Sequence, residues 1–564
     1  MQVLQIAFRR FEVLLAVALI GASLLHWGQM ARAMATTSLT TDEFGTVGTF
    51  SAKGPVRVVT DYRAPKNHVF FNLLNSLLPD RDSFAPARVR ALSILATLLT
   101  VLVLVVYAAR RGHLLEAGAL LALWSTAPEM LQLSMEARGY GFLGLFGVLS
   151  AIATLEYVRE RNIRWLWALA VSVVLGVYTV PGFLFYAAPL MALLWLTERS
   201  RVTFLAGVAA ALAILLLYTP LIAQVIAAFH EFHVDKNEAD FRTAHGLVRA
   251  AKLYLFPSDD WEAWTLLGAL AFAPFLPARG TDRREGTALR IVAAACVAHF
   301  VALRVLHTPP LRMAAFALLP LSIAGLWALG NWIRHALPPI VRPIAFGVFG
   351  LTVLADTLNA IRTFHFTPAE DWLLSARAID AAFPSGVKVD FRRYAKYLGQ
   401  TLPDADARTA SYEEAAFADG RLVVADAGNK WAGGSRFTPP ADLDRVAQWT
   451  IPGTIRDVVL TFRLPAQHGL IQAPPPLADG NIDTGVGLQP QGLVLRGENS
   501  PGAKALVVLL DRAPSPDELR IDAPALVAGN GIVIPLQNSA APAETHLSAA
   551  PGSNLRAMEA WITR

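Results

Sequence analysis

The chain has 564 residues, of which 54% are hydrophobic and only 16% charged. A soluble globular domain carries about 25% charged residues, so an ordinary water-soluble globule is excluded. The formal net charge of +5 says little about nucleic acid, which is not expected as a partner; where the charges fall says more.

Apolar residues gather in runs close to the roughly 20 residues that span a hydrocarbon core. The predicted spans are 11–30, 86–108, 113–132, 139–157, 164–180, 182–197, 202–228, 262–277, 288–306, 312–333 and 340–361, about eleven helices in a polytopic membrane protein. Every second loop is arginine-rich. The series runs Arg9-Arg10, Arg110-Arg111, Arg159 with Arg161 and Arg164, Arg199 with Arg201, Arg279 with Arg283, Arg284 and Arg290, and Arg334 with Arg342. Positive loops stay in the cytoplasm, so the N-terminus is placed inside. An odd number of spans then puts the C-terminal region outside, in the periplasm if the membrane is a bacterial inner membrane. Ala31-Arg32-Ala33 also has the form of a signal-peptide cleavage site; under either reading Asp42 faces outward.

The first outer segment, about 31–85, is too long for a simple connection. It opens Thr40-Thr41-Asp42-Glu43. Thr40 with Glu43 three residues on reads as a capping box at a helix start. The same acidic pair, Asp42 and Glu43, reads as catalytic, since a carboxylate at the lipid boundary is costly without work or a partner. One carboxylate can cap while the other takes a proton from an attacking hydroxyl. Farther on, His68, Asn72, Asn75 and Ser76 share one helical face within Asn67–Leu78. This stretch is too short to span and reads as a helix lying in the membrane surface.

The next outer loop holds Glu136-Ala137-Arg138-Gly139-Tyr140, a carboxylate and a guanidinium at the same boundary. They read either as a local ion pair or as a site in which Arg138 holds an anion in its fork. Outer cations recur at Arg63, Lys66 and His68 and again at Arg304, His307 and Arg312. Headgroup contact explains any one of them, but together they suggest a site for a lipid phosphate. The loop at 229–261 carries His230 and His233, whose spacing is not the zinc-binding H-E-x-x-H. Cys296, the single cysteine, falls inside a predicted span, so no disulfide forms within the chain.

After about 363 long apolar runs stop and Pro and Gly rise. Strand-like runs occur at Gly386–Phe391, Arg421–Ala425, Asp457–Arg463, Ala505–Leu510 and Gly531–Pro535, with helix-like stretches at 369–383 and 391–401. A transmembrane domain over 1–362 and a soluble periplasmic α/β or α+β domain over 363–564 are expected. No nucleotide-phosphate loop, dinucleotide fingerprint or internal repeat is present.

Asp42-Glu43, Tyr62–Leu78 with Pro65-Lys66-Asn67-His68, Glu136–Tyr140 and Pro310-Leu311-Arg312 stand in order on one face. Together they resemble the GT-C superfamily of polyprenyl-phosphate-sugar-dependent glycosyltransferases, over about residues 10–330. The branch is the bacterial one that holds the lipid A aminoarabinose and galacturonic acid transferases and is related to protein O-mannosyltransferases. The resemblance implies a GT-C-like fold and a catalytic Asp42, supported by Glu43 and Glu136. It implies a donor phosphate met by a basic residue in the 62–68 stretch. Lys66 matches best, but its Pro-Lys order departs from the Lys-Pro of the aminoarabinose transferases and leaves Arg63 and His68 open beside it. Arg304 and Arg312 join them, and Tyr62, Arg138 and Tyr140 are expected to position donor or acceptor. A divalent cation, Mg or Mn, is left open by the resemblance, with Asp42, Glu43 and Glu136 as oxygen ligands.

The reading is an inverting transfer of one sugar from a polyprenyl-phosphate donor to a lipid, glycan or protein acceptor, among membrane lipids. A glycan polymerase or ligase of another membrane fold is the alternative. A transporter would place its polar groups near the midplane on broken helices, whereas here they gather at the outer edge.

Overall fold

The computed structural model describes residues 2–62, 67–81, 83–232, 260–276, 282–305, 312–364, 366, 371–383, 387–392, 398, 405–411, 421–429, 446–452, 456–464, 471–472, 486–488, 493–497, 505–515, 517–536, 543–551 and 553–563. Two compact units result. One comprises Met1–Thr36 and Gly45–Phe366, the other Thr37–Phe44 and Thr367–Arg564. The break therefore falls just past the expected 362, and a short piece of the first outer segment joins the C-terminal unit.

The α-helices in chain order among the described residues are α1 (Gln2–Thr36), α2 (Thr41–Thr49), α3 (Pro55–Thr60), α4 (Val69–Ser76), α5 (Pro86–Arg111), α6 (Leu114–Ser125), α7 (Pro128–Met135), α8 (Tyr140–Glu160), α9 (Ile163–Thr179), α10 (Leu184–Glu198), α11 (Arg201–Tyr218), α12 (Ile222–Phe232), α13 (Asp260–Phe272), α14 (Arg283–Val305), α15 (Arg312–Ala336), α16 (Val341–Arg362), α17 (Trp372–Ala382) and the single turn α18 (Ala405–Arg408). Eight helical stretches among the described residues are long and apolar enough to cross a membrane. Three shorter apolar helices, Leu114–Ser125, Ile163–Thr179 and Leu266–Phe275, lie where other spans are expected. The chain is thus a polytopic α-helical membrane protein.

Two predicted spans are broken by proline. The 113–132 stretch splits into α6 and α7, because Pro128 takes the first helical position of α7 and drives the residue before it out of the helical region. The 202–228 stretch splits at Pro220 into α11 and α12. Proline lacks the N–H that would continue the ladder.

α8 is the central helix, packed against α5, α9, α14 and α15. Small residues allow the approach. A Cβ on Gly141 would lie 2.6 Å from the Ser134 carbonyl and 2.8 Å from that of Ser93. At the arginine-rich end of the bundle several guanidinium groups are paired with carboxylates. Arg111 meets Glu156, and Arg161 meets Glu198. Arg334 forks onto Glu116, at 2.5 and 3.1 Å, and reaches Glu12 at 3.4 Å. His113 bridges Glu116 and Glu285, at 3.4 and 3.3 Å. Cys296 is a buried free thiol in α14.

The C-terminal unit is β-rich. A four-stranded sheet runs β1-β2-β4-β3 (Lys388–Phe391, Leu422–Asn429, Arg456–Arg463, Val446–Ile451), with β1 and β2 parallel. A five-stranded sheet runs β10-β11-β8-β13-β6 (Leu526–Ala528, Gly531–Pro535, Ala505–Leu510, Arg556–Thr563, Val486–Gly487). A third runs β5-β7-β12-β9 (Ile471–Gln472, Leu493–Gly497, Ala543–Ala549, Leu519–Ile521). The five expected strands are present, at β1, β2, β4, β8 and β11. β8 is buried along its whole length, which explains its unbroken run of Ala, Leu and Val. Segregated helix and mostly antiparallel sheet make this α+β. The helix expected at 391–401 lies almost wholly outside the described residues.

Candidate functional site

The two members of the acidic pair differ in their surroundings. The Glu43 carboxylate accepts the Thr40 N–H at 2.7 Å, and the Thr40 hydroxyl accepts the Glu43 N–H at 3.2 Å. This reciprocal capping box starts α2 and satisfies two donors. Glu43 is fully buried, whereas Asp42 beside it is half-buried. Of the two carboxylates, only Asp42 combines an acid at a helix start with partial access to solvent.

In the membrane unit, two stretches about seventy positions apart meet. His68 Nδ1 accepts the Gly139 N–H at 3.1 Å. The His68 ring stands edge-on to Tyr140 at 5.0 Å between centroids, and the Arg138 guanidinium lies over that same Tyr140 ring, 5.0 Å from its centre. His68, Arg138, Tyr140 and Tyr62 are buried and Glu136 nearly so. A nitrogen that accepts a backbone N–H carries no proton of its own, so His68 is a neutral imidazole with its hydrogen on Nε2. It is a hydrogen-bond donor at Nε2 rather than a cation. Glycine at 139 is needed for this approach: a Cβ there would press on Thr179 and sit 2.9 Å from His68 Nδ1.

The Glu136–Tyr140 turn is pinned on its other side by α5. Ser93 Oγ donates to the Arg138 carbonyl at 2.8 Å, and Thr97 Oγ1 donates to the Ser134 carbonyl at 2.9 Å. Gln132 Nε2 reaches Glu136 Oε1 at 3.4 Å. Sequence reasoning passed over Ser93 and Thr97. Their signal was legible: two hydroxyls one helical turn apart near the start of an otherwise apolar span. Arg90, buried one turn before Ser93, donates to the Met34 carbonyl.

α4 forms where a short helix is predicted, but its polar face turns inward. Asn72 and Asn75 are fully buried and Ser76 nearly so. The Ser51 hydroxyl donates to Asn72 at 2.7 Å, and Asn72 donates to Asn67 at 3.0 Å. Asn67 in turn donates to the carbonyls of Val58 and Asp61, at 2.8 and 2.7 Å. Arg88 grips Asn75 through its side chain and its carbonyl, both at 3.1 Å. Asn67 and Asn72 therefore knit the segment together through their amides, whereas Asn75 accepts from Arg88 and its buried Nδ2 has no partner among the described residues. Tyr62 is held through its N–H, which donates to Gln224 at 2.7 Å. Burial, with Tyr140 nearby, pushes its phenol well above the ordinary range, so it stays protonated.

Arg63, Lys66, His233 and His307 lie outside the described residues, as do the side chains of His230, Arg304 and Arg312. Of the carboxylates offered to a divalent cation, Glu43 is committed to its cap. Among the described residues no three His, Cys, Asp or Glu side chains gather as a ligand set.

No family profile matches the chain, and no curated protein matches it in sequence. In structure it is similar to ArnT from Cupriavidus metallidurans bound to undecaprenyl phosphate, at a TM-score of 0.45 and 12% identity, over 79% of this chain and 97% of that one. It is also similar to the arabinofuranosyltransferase AftD from Mycobacteria, at 0.39 and 12%, over 98% of this chain and 61% of that one. The arabinosyltransferase EmbB from Mycobacterium smegmatis follows at 0.29 and 12%, over 97% of this chain and 64% of that one.

Proposed function

We propose that this chain is a GT-C-type membrane glycosyltransferase that moves one sugar from a polyprenyl-phosphate carrier to a lipid, glycan or protein acceptor on the periplasmic face of the inner membrane, with inversion. One observation carries the reading. The two stretches through which the sequence resembles these enzymes, 62–78 and 136–140, are folded onto each other by the bond from Gly139 to His68 and the ring contact with Tyr140.

Asp42 serves as the base. It takes the proton of the acceptor hydroxyl as that oxygen attacks the anomeric carbon. The bond from that carbon to the phosphate oxygen breaks on the opposite face, and the polyprenyl phosphate leaves with the electron pair. Lys66 with Arg63, Arg304 and Arg312 supplies positive charge to the departing phosphate, and His68 offers an N–H. Fixed donors aimed at developing charge are commonly the largest single contribution to catalysis. Arg138, held on Tyr140 and paired in sequence with Glu136, positions donor or acceptor. A lipid-linked donor accounts for the lack of a nucleotide-phosphate motif. Mass spectrometry of envelope lipids and glycans, with and without the active protein, identifies sugar and acceptor. Identical profiles would remove the proposal.

A further inference from the structure

The segment that carries Asp42 is built into the C-terminal unit by hydrogen bonds that neither the acidic pair nor the turn at 136–140 requires. Helix α17 begins at Trp372, and its first N–H groups lack partners within the helix. Asp371 caps it in the usual way, its Oδ1 accepting the Leu374 N–H at 2.9 Å. The neighbouring N–H, that of Leu373, goes instead to the Ser38 hydroxyl at 2.7 Å. Ser38 completes the ring by donating its own proton to Asp371 Oδ1 at 2.9 Å. A serine more than three hundred positions away thus fills half of the helix cap.

The bond is well placed to act on Asp42. Ser38 is buried, and so are Leu39, Thr40, Thr41, Glu43 and Phe44. Two fixtures bracket the segment: the shared cap at Ser38 and the capping box of Thr40 with Glu43. Asp42 is the half-buried member of this otherwise buried run. Helix α17 is itself anchored, burying Trp372, Ala376 and Ile379 and packing on β8, β10 and β11. Rigidity passes from the five-stranded sheet through α17 to the strap at 37–44.

We infer that Ser38 and Asp371 are positioning residues for Asp42. The inference rests on the reading of Asp42 as the base. The chemistry explains why a small error matters, since misplacing a reacting group by about 1 Å can slow a reaction about a hundredfold.

The test uses the full-length protein in nanodiscs, with two readouts taken side by side. Amide exchange reports the order of 37–44 and of Leu373, and turnover reports kcat separately from the KM for donor. Ser38→Ala should raise exchange across 37–44 roughly tenfold and lower kcat roughly tenfold with little change in KM. Ser38→Thr, which keeps the hydroxyl, should restore both. Asp371→Ala leaves Ser38 its bond to Leu373 and should fall between wild type and Ser38→Ala; it serves if Ser38→Ala does not insert. Because the Ser38–Asp371 bond is lost in either single variant, the double variant should fall short of the sum of the two single effects. Unchanged exchange in the folded single variants would overturn the inference, as would loosened exchange with undiminished kcat. If instead Asp42→Asn keeps full turnover, the reading of the base has failed, while the exchange data still decide whether the strap is held by the cap.

Discussion

At the scale of single residues, adjacent carboxylates are told apart by their partners. Glu43 closes a capping box and Asp42 does not. Glu43→Gln keeps an acceptor for the Thr40 N–H, so it should lower stability by no more than about 1 kcal/mol and leave transfer largely intact; thermal unfolding beside turnover checks both. His68 makes a sharper claim, because the bond from Gly139 specifies Nδ1 as an acceptor. Asparagine places its oxygen near the position of Nδ1, whereas glutamine reaches only toward Nε2. His68→Asn should therefore unfold close to wild type. His68→Gln should lose about 1–3 kcal/mol, since the Gly139 N–H is left buried without a partner. Equal unfolding temperatures for the two would show that the Nδ1 bond does no work. The capping box was legible as a four-residue pattern. The pairing of His68 with Gly139 was not, because nothing local in either stretch names the other.

Among elements, what could be read was what lies in a local period. Apolar runs gave the spans, and the break between α6 and α7 follows from Pro128, a residue the span reading passed over. Strands of two or three residues, such as β5, β6, β9 and β10, are too short for a period of two to register. Periodicity shows that one face of α4 is polar, not whether water or other amides meet it. Charged pairs at helix ends give a prediction of their own. Arg334 forks onto Glu116, which is buried, so Arg334→Ala leaves that carboxylate with only the His113 ring, 3.4 Å away, beside it. Removing one partner of a buried pair costs about 3–5 kcal/mol. Unfolding of the detergent-solubilised variant should show that loss, and a change under about 1 kcal/mol would place the pair in the class of exposed, weak ones.

For the molecule as a whole, the sequence marked the change from membrane helices to a β-rich region near 363 but not that Thr37–Phe44 belongs with the latter. That membership rests on contacts such as Ser38 with Asp371, which span over three hundred positions and leave no local trace. Orientation rests on arginine in alternate loops. Reporter fusions at Arg110, Arg161 and Arg283 should signal cytoplasm, and one at Arg564 the periplasm; a cytoplasmic signal at Arg564 would reverse the assigned face. The central claim is that Asp42 is the base in transfer of a lipid-linked sugar. The direct measurement is mass spectrometry of envelope lipids and glycans from cells with wild type, with Asp42→Asn at equal membrane abundance, or with neither. The account predicts a sugar-bearing species that is present with wild type and absent from the other two. The same species at wild-type level with Asp42→Asn would contradict it.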